Sequence, residues 1–227
     1  MSKSTPNILS NVAQNGLIKE YAFFIQIKSL HSNSVIYNPN QLYKVLNCSR
    51  TKINRHLAII IKQGWGYYSN KFLVLNSAKK IHFNLTGYKP KNFTEIKSID
   101  TIYLFLLKNK LSQKSFISNK ISNLQSHSRK IVKSSYKYLG GERKLFDDGL
   151  SLKTLSATFG MSASNCTNIL KRLLKKGLIS IKKRFESFGS FNYHKFLILK
   201  ETYNGLYRSR GNNMIRNLSN QITILEL

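Results

Sequence analysis

Acidic residues are what this sequence most lacks. Nine Asp and Glu stand against 37 Lys and Arg in 227 residues, a formal charge of +28. A net charge of that size repels itself and works against a compact state, so it implies a polyanionic partner, of which nucleic acid is the commonest. An A+T-rich coding bias would raise Lys, Asn, Ile, Tyr and Phe together, but it would not strip out Asp and Glu. The acids that remain are scattered: Glu20, Glu95, Asp100, Glu142, Asp147, Asp148, Glu186, Glu201 and Glu226. A nuclease or polymerase needs convergent carboxylates to hold its metal ions. Only Asp147 and Asp148 are adjacent; with Glu142 they could in principle converge, but Asp147-Asp148-Gly149 reads as a turn.

Other absences narrow the field further. The two cysteines, Cys48 and Cys166, lie far apart in helical contexts, which excludes a disulfide framework or a zinc site and points to a reducing cytoplasm. His31, His56, His82, His127 and His194 show no ligand spacing, and no glycine-rich phosphate loop is present. No apolar run reaches about 18 residues, and Met1 to Pro6 has no apolar signal core. The expectation is a protein without catalytic residues, metal or cofactor and without a membrane partner. It would be cytoplasmic and nucleoid-associated, in a host cytoplasm if viral. Hydrophobic residues make up 41%, enough for ordinary cores.

What is present includes a repeat, the feature that decides fold in such chains. Leu42-Tyr43-Lys44-Val45-Leu46-Asn47-Cys48-Ser49 lies without a gap over Leu155-Ser156-Ala157-Thr158-Phe159-Gly160-Met161-Ser162, and the match continues through Leu57 on Leu170, Ile60 on Leu173 and Gly64 on Gly177, always at an offset of 113. Downstream, Lys71-Phe72-Leu73-Val74-Leu75 resembles Lys195-Phe196-Leu197-Ile198-Leu199 at an offset of 124. Upstream, Tyr21 to Lys28 resembles Thr101 to Lys108 at an offset of 80.

Each copy reads as helix, tight turn, helix, hairpin. In the second, Leu152, Leu155 and Phe159 recur at helical spacing, Gly160 stops that helix, Met161 points inward and Ser162 is placed to cap the next helix. Cys166, Ile169, Leu170, Leu173 and Leu174 form its apolar stripe. Leu178 to Ile181 starts a strand, Ser187 to Ser190 reads as a turn, and Phe191 to Leu199 as the returning strand. In the first copy Asn40 caps the first helix of the pair. Asn47 takes the glycine's place, since Asn tolerates the left-handed conformation next best. Ser49 caps a helix with Ile53, Leu57, Ile60 and Ile61 inward, and a short hairpin turns near Ser69-Asn70. The expected domains are 1–76, a basic linker 77–98, a second module 99–200 with a helical insertion at about 111–143, and a basic tail 201–227.

Leu-Ser-x-x-Phe-Gly-Met-Ser-x-Ser followed by Leu-Lys-Arg-Leu-Leu-Lys-Lys-Gly-Leu-Ile, over about residues 151–200, resembles the winged helix-turn-helix superfamily of bacterial regulators. The expected fold is therefore mainly α with small β-hairpin wings (α+β), two winged helix-turn-helix modules in series. In architecture alone the chain is similar to plasmid and phage replication initiators that carry two such domains. In a helix-turn-helix the second helix enters the major groove of duplex DNA. The expected binding face is Arg50, Thr51, Lys52, Asn54 and Arg55 in the first copy and Ser164, Asn165, Thr167, Asn168, Lys171 and Arg172 in the second. Arg reads guanine and Asn reads adenine through paired hydrogen bonds. Lys71 in the first wing and Lys182, Lys183 and Arg184 in the second would meet the backbone. No acid occurs between Thr51 and Trp65, or from Leu150 to Phe185. The implied partner is double-stranded DNA, bound by a transcriptional regulator or a replication initiator of a mobile element or phage that engages the corresponding machinery. The other reading is a non-specific DNA-condensing or protein-bridging component. Single-strand or RNA binding would call for paired aromatics on a sheet, and no such motif stands out.

Overall fold

The computed structural model describes residues 2–30, 35–36, 42–70, 72–122, 150–183, 185–190, 207–210, 213–217 and 220–225. Among these the chain is mixed α and β, with eight helices and small antiparallel sheets. It divides into two compact units, residues 1–106 with 156–162 and residues 107–155 with 163–227. These differ from the boundaries expected from sequence.

The first unit opens with β1 (Ser2–Ser4), α1 (Pro6–Gln14) and α2 (Ile18–Leu30). Thr5 caps α1, its hydroxyl accepting from the Ile8 amide, and Pro6 stands in the first turn, where a missing N–H costs nothing. The core gathers on α2. Tyr21 meets Trp65 edge-on at 5.1 Å and stacks on Phe24 at 5.5 Å. The Tyr21 hydroxyl is 2.7 Å from Ser4 Oγ, and burial pushes the phenol far above its ordinary pKa. Each such side chain, once fully buried, contributes about 1.5–3 kcal/mol, more than the ~1 kcal/mol of a helix cap, so the aromatic cluster dominates local stability.

After α2 come β2 (Val35–Ile36), α3 (Leu42–Val45), α4 (Arg50–Lys62), β3 (Gly66–Ser69) and β4 (Phe72–Leu75). The strands form one sheet in the order β2-β4-β3, all antiparallel. Asn70 turns the hairpin with φ of 54°, at the position expected. Lys28 Nζ donates 2.6 Å to the Asn76 carbonyl, and Asn76 Nδ2 donates 2.8 Å to the Gly64 carbonyl, which ties α2 and the end of α4 to the hairpin's exit.

The segment expected as a linker is part of this unit. Ser77 caps α5 (Ala78–Thr86), Ile81 and His82 are buried, and β5 (Thr94–Ile96) pairs antiparallel with β1. His82 Nδ1 and Thr5 Oγ1 are hydrogen bonded at 2.8 Å, so α5 is held to the cap of α1. Five lysines and a proline made the segment look like a connector; the tertiary contacts of Ile81, His82 and Ile96 order it.

Next comes α6 (Ile99–Ser122), a single helix that runs into the segment expected as an insertion; the rest of that segment lies within 123–149, which are outside the described residues. Two helices then follow, α7 (Leu152–Phe159) and α8 (Ala163–Lys175). Tyr103 and Phe159 meet at 5.1 Å inside the first unit. At Gly160, φ is +61°, and an added Cβ would overlap the Ala13 carbonyl oxygen. The left-handed turn and the close backbone approach both require glycine there.

The gapless repeat holds at the level of single hydrogen bonds. The Cys48 amide donates to the Tyr43 carbonyl as Met161 does to Ser156, Gln63 to Ile59 as Lys176 to Arg172, and Trp65 to Ile60 as Leu178 to Leu173. Asn47 is left-handed with φ of 48°, in the position of Gly160. Both α4 and α8 have 13 residues, and β6 (Ile179–Lys182) stands where β3 does.

Beyond β6 the expectation fails. The stretch 187–190 is not a turn: β7 (Phe185–Ser190) runs through it and pairs with β9 (Asn213–Asn217), which also pairs with β8 (Tyr207–Arg210), in the order β7-β9-β8. The turn-like residues fall where the β7-β9 register shifts, between Ser187 and Ser190, as Gly and Ser do at a bulge. The expected returning strand, 191–199, lies outside the described residues. The partner of β6 is instead β10 (Gln221–Ile224), inside the segment expected as a tail. Ile179 pairs with Ile224 as Gly66 pairs with Leu75, and the Leu225 amide donates to the Leu178 carbonyl as Asn76 does to Trp65. Leu150 makes an isolated bridge to Asn220, beside the start of β10. Residues 183–220 thus separate two paired strands that only Asn70 and Lys71 separate in the first copy.

Candidate nucleic-acid interface

The two second helices of the repeat carry most of the expected binding residues. On α4, the Ser49 hydroxyl accepts from the Lys52 amide at 3.3 Å and fixes the first turn. Ile53, Leu57 and Ile60 are buried and Ile61 is half-buried, so the outward arc falls to Arg50, Thr51, Lys52, Asn54 and Arg55, all exposed. No acid occupies the first turn, which leaves the positive end of the helix dipole open to an anion.

Arg50 is held in place. Its Nη2 donates to the Tyr43 hydroxyl at 3.2 Å, and its guanidinium lies 4.6 Å from the centre of the Tyr43 ring. A stacked, hydrogen-bonded guanidinium loses less freedom on binding than a free one. Tyr43, on α3, is a candidate site residue that sequence reasoning missed. An aromatic seven residues before the first residue of the second helix was the available signal.

His56 is half-buried, with its ring stacked on Phe23 at 4.4 Å. Its Nδ1 is buried without a hydrogen-bond partner. Burial holds the imidazole below the ordinary histidine pKa; Glu20 pulls it up, and Lys52 and Arg55 push it down.

On α8, Cys166, Ile169, Leu170 and Leu173 face the core. Leu174, expected inward, is 47% exposed, and on α7 Leu152 is 45% exposed. Both lie at the margin of their apolar stripes, where a small rotation of the helix decides burial. Met161 is half-buried rather than fully inward. Ser164, Asn165, Asn168, Lys171 and Arg172 are exposed. Thr167 is half-buried, and its hydroxyl donates to the Ala163 carbonyl at 3.0 Å, so it faces a ligand as an acceptor only. Lys182 and Lys183 are exposed at the end of β6, whereas Lys71, Arg184 and Asn40 lie outside the described residues.

The sheet of the first unit carries a second feature that the sequence did not disclose. Tyr67 is opposite Val74 and Ser69 opposite Phe72, so Tyr67 and Phe72 share one face. That face is opposite the one that buries Ile36, Leu73 and Leu75. Tyr67 is 44% and Phe72 37% exposed, and Lys80 Nζ lies 5.2 Å from the centre of the Tyr67 ring.

Among the described residues no group of three or more His, Cys, Asp or Glu could hold a metal ion, and no helix is long and apolar enough to cross a membrane. Neither cysteine is in a disulfide; Cys166 is buried and Cys48 half-buried. In comparison with known proteins, no family model, no curated protein and no solved structure matches this chain.

Proposed function

We propose that the chain binds double-stranded DNA through α4 and α8, as two winged helix-turn-helix modules in one polypeptide, in the service of transcription regulation or replication initiation. The observation that carries this is the recurrence, at an offset of 113, of one hydrogen-bonded turn and one 13-residue helix whose outward face has no acid. Helix, edge strand, two helices and a hairpin, with the lone strand added to the hairpin sheet, is the order such a module requires. The first copy supports that order through β2-β4-β3, and the second through Leu150, β10 and β6. Joining two modules raises the effective concentration of the second once the first has bound.

Selection from random duplex DNA at two salt concentrations tests the reading. A recovered motif is expected. The affinity should fall with salt at a slope near −0.9 per phosphate contacted. Arg50→Ala or Asn168→Ala should cost about 1–3 kcal/mol and relax preference at one base pair. Replacing Lys182 and Lys183 by Gln should weaken all sequences alike and flatten the slope by about one per lysine. Tight binding without a motif would favour a condensing component, and absence of duplex affinity would end the proposal.

A further inference from the structure

We propose that the outer face of the β2-β4-β3 sheet is a second nucleic-acid site, one that takes unpaired bases of a single strand on Tyr67 and Phe72. It rests on the reading of this chain as a nucleic-acid-binding protein, but not on duplex recognition by α4 and α8.

The face is built by the strand register. Val35, Val74, Tyr67, Ser69 and Phe72 all lie on it, with the two valines half-buried and the two aromatics at its exposed end. Tyr67 and Phe72 lie on neighbouring strands one register step apart, a diagonal separation that long aromatic side chains can bridge. Aromatic rings on a sheet are platforms for splayed-out bases because every base has a π face. A duplex hides those faces in its own stack and offers this surface nothing to cover.

Charge selects the occupant. Between Glu20 and Glu95 the sequence has no acid, and the cations that flank the sheet include Lys80, already 5.2 Å from the Tyr67 ring. An ammonium over one face of an aromatic ring holds a phosphate contact next to a stacking surface, the combination that single-strand grooves use. A neutral apolar partner would leave those cations uncompensated, and a second copy of this +28 chain would add repulsion.

The test compares an oligothymidylate of about 16 nucleotides, an abasic strand of the same length and charge, and a duplex of the same length, each titrated against the full chain. The wild-type protein should bind the thymidylate strand about tenfold or more tighter than the abasic one. The double variant Tyr67→Thr, Phe72→Thr replaces the rings by β-branched residues, which suit a strand. It should bind thymidylate no better than the abasic strand while its duplex affinity stays within about twofold of wild type. Equal wild-type affinity for the two strands overturns the proposal, and that arm needs no variant to fold. So does a double variant that keeps the preference, or one that changes only the sedimentation mass, which would mark the face as a self-contact. Loss of duplex binding with the base preference intact would instead sink the α4 and α8 reading and leave this one standing. Binding to none of the three probes would sink both.

Discussion

At the scale of single residues, the sites that matter are those where a side chain is committed by its neighbours. Arg50 is committed to Tyr43, and His56 to Phe23. Because burial depresses the His56 pKa in the folded chain, the unfolded chain takes up that proton first as the pH falls. Stability from this group is therefore complete above the ordinary histidine value of about 6.5 and declines as the pH falls through the window down to the lower folded value. Thermal unfolding of the wild type should weaken from pH 7.5 to pH 5.5 more than that of His56→Phe, which keeps the stack on Phe23 and cannot titrate. Parallel pH profiles for the two would remove His56 from the account. Asn47 shows how far one residue can be read. A non-glycine residue at positive φ was anticipated from its alignment with Gly160, and both are left-handed. The overlap between an added Gly160 Cβ and Ala13 was beyond reach, because it joins positions far apart in the chain.

At the scale of elements, α4, α8 and the β3-β4 hairpin were legible, whereas α5 and the partner of β6 were not. Period and caps mark α4 and α8 because both signals lie within one turn of the residues they describe. A strand carries only its alternation, and several segments share it. Lys195 to Leu199 resembles Lys71 to Leu75 locally, yet the strand that completes the second hairpin is β10. Its own alternation, with Ile222 buried and Thr223 exposed, is too short to stand out from a tail. Ending the chain after Asn217 removes β10 and should leave β6 without a partner and Ile179 exposed. Amide exchange in α8 and β6 should then accelerate strongly while α1, α2 and α4 keep their protection. If β6 and α8 stay protected after that truncation, the β6-β10 pairing is wrong and a partner nearer in sequence must take its place.

At the scale of the whole molecule, charge acts in two directions. A chain of +28 repels itself, and added salt screens that repulsion. The protein alone should therefore melt a few degrees higher as salt is raised from low to moderate concentration; a 1 kcal/mol gain corresponds to about 2–4 °C for a chain of this size. If the proposed duplex binding holds, that affinity should fall over the same range. Calorimetry and titration in matched buffers check the pair, and a melting temperature that drops with salt would mean that attractive pairs outweigh the excess charge. What the sequence determined by itself was the sign of the surface, the two copies of the repeat around α4 and α8 and the residues on the outward faces of those helices, because charge, caps and helical period are properties of neighbouring residues. The tertiary structure alone decided which strand closes the second hairpin, that residues 78–96 belong to the first unit, and that Tyr67 and Phe72 share a face. Each of those depends on segments that meet only when loop closure and burial bring distant parts of the chain together.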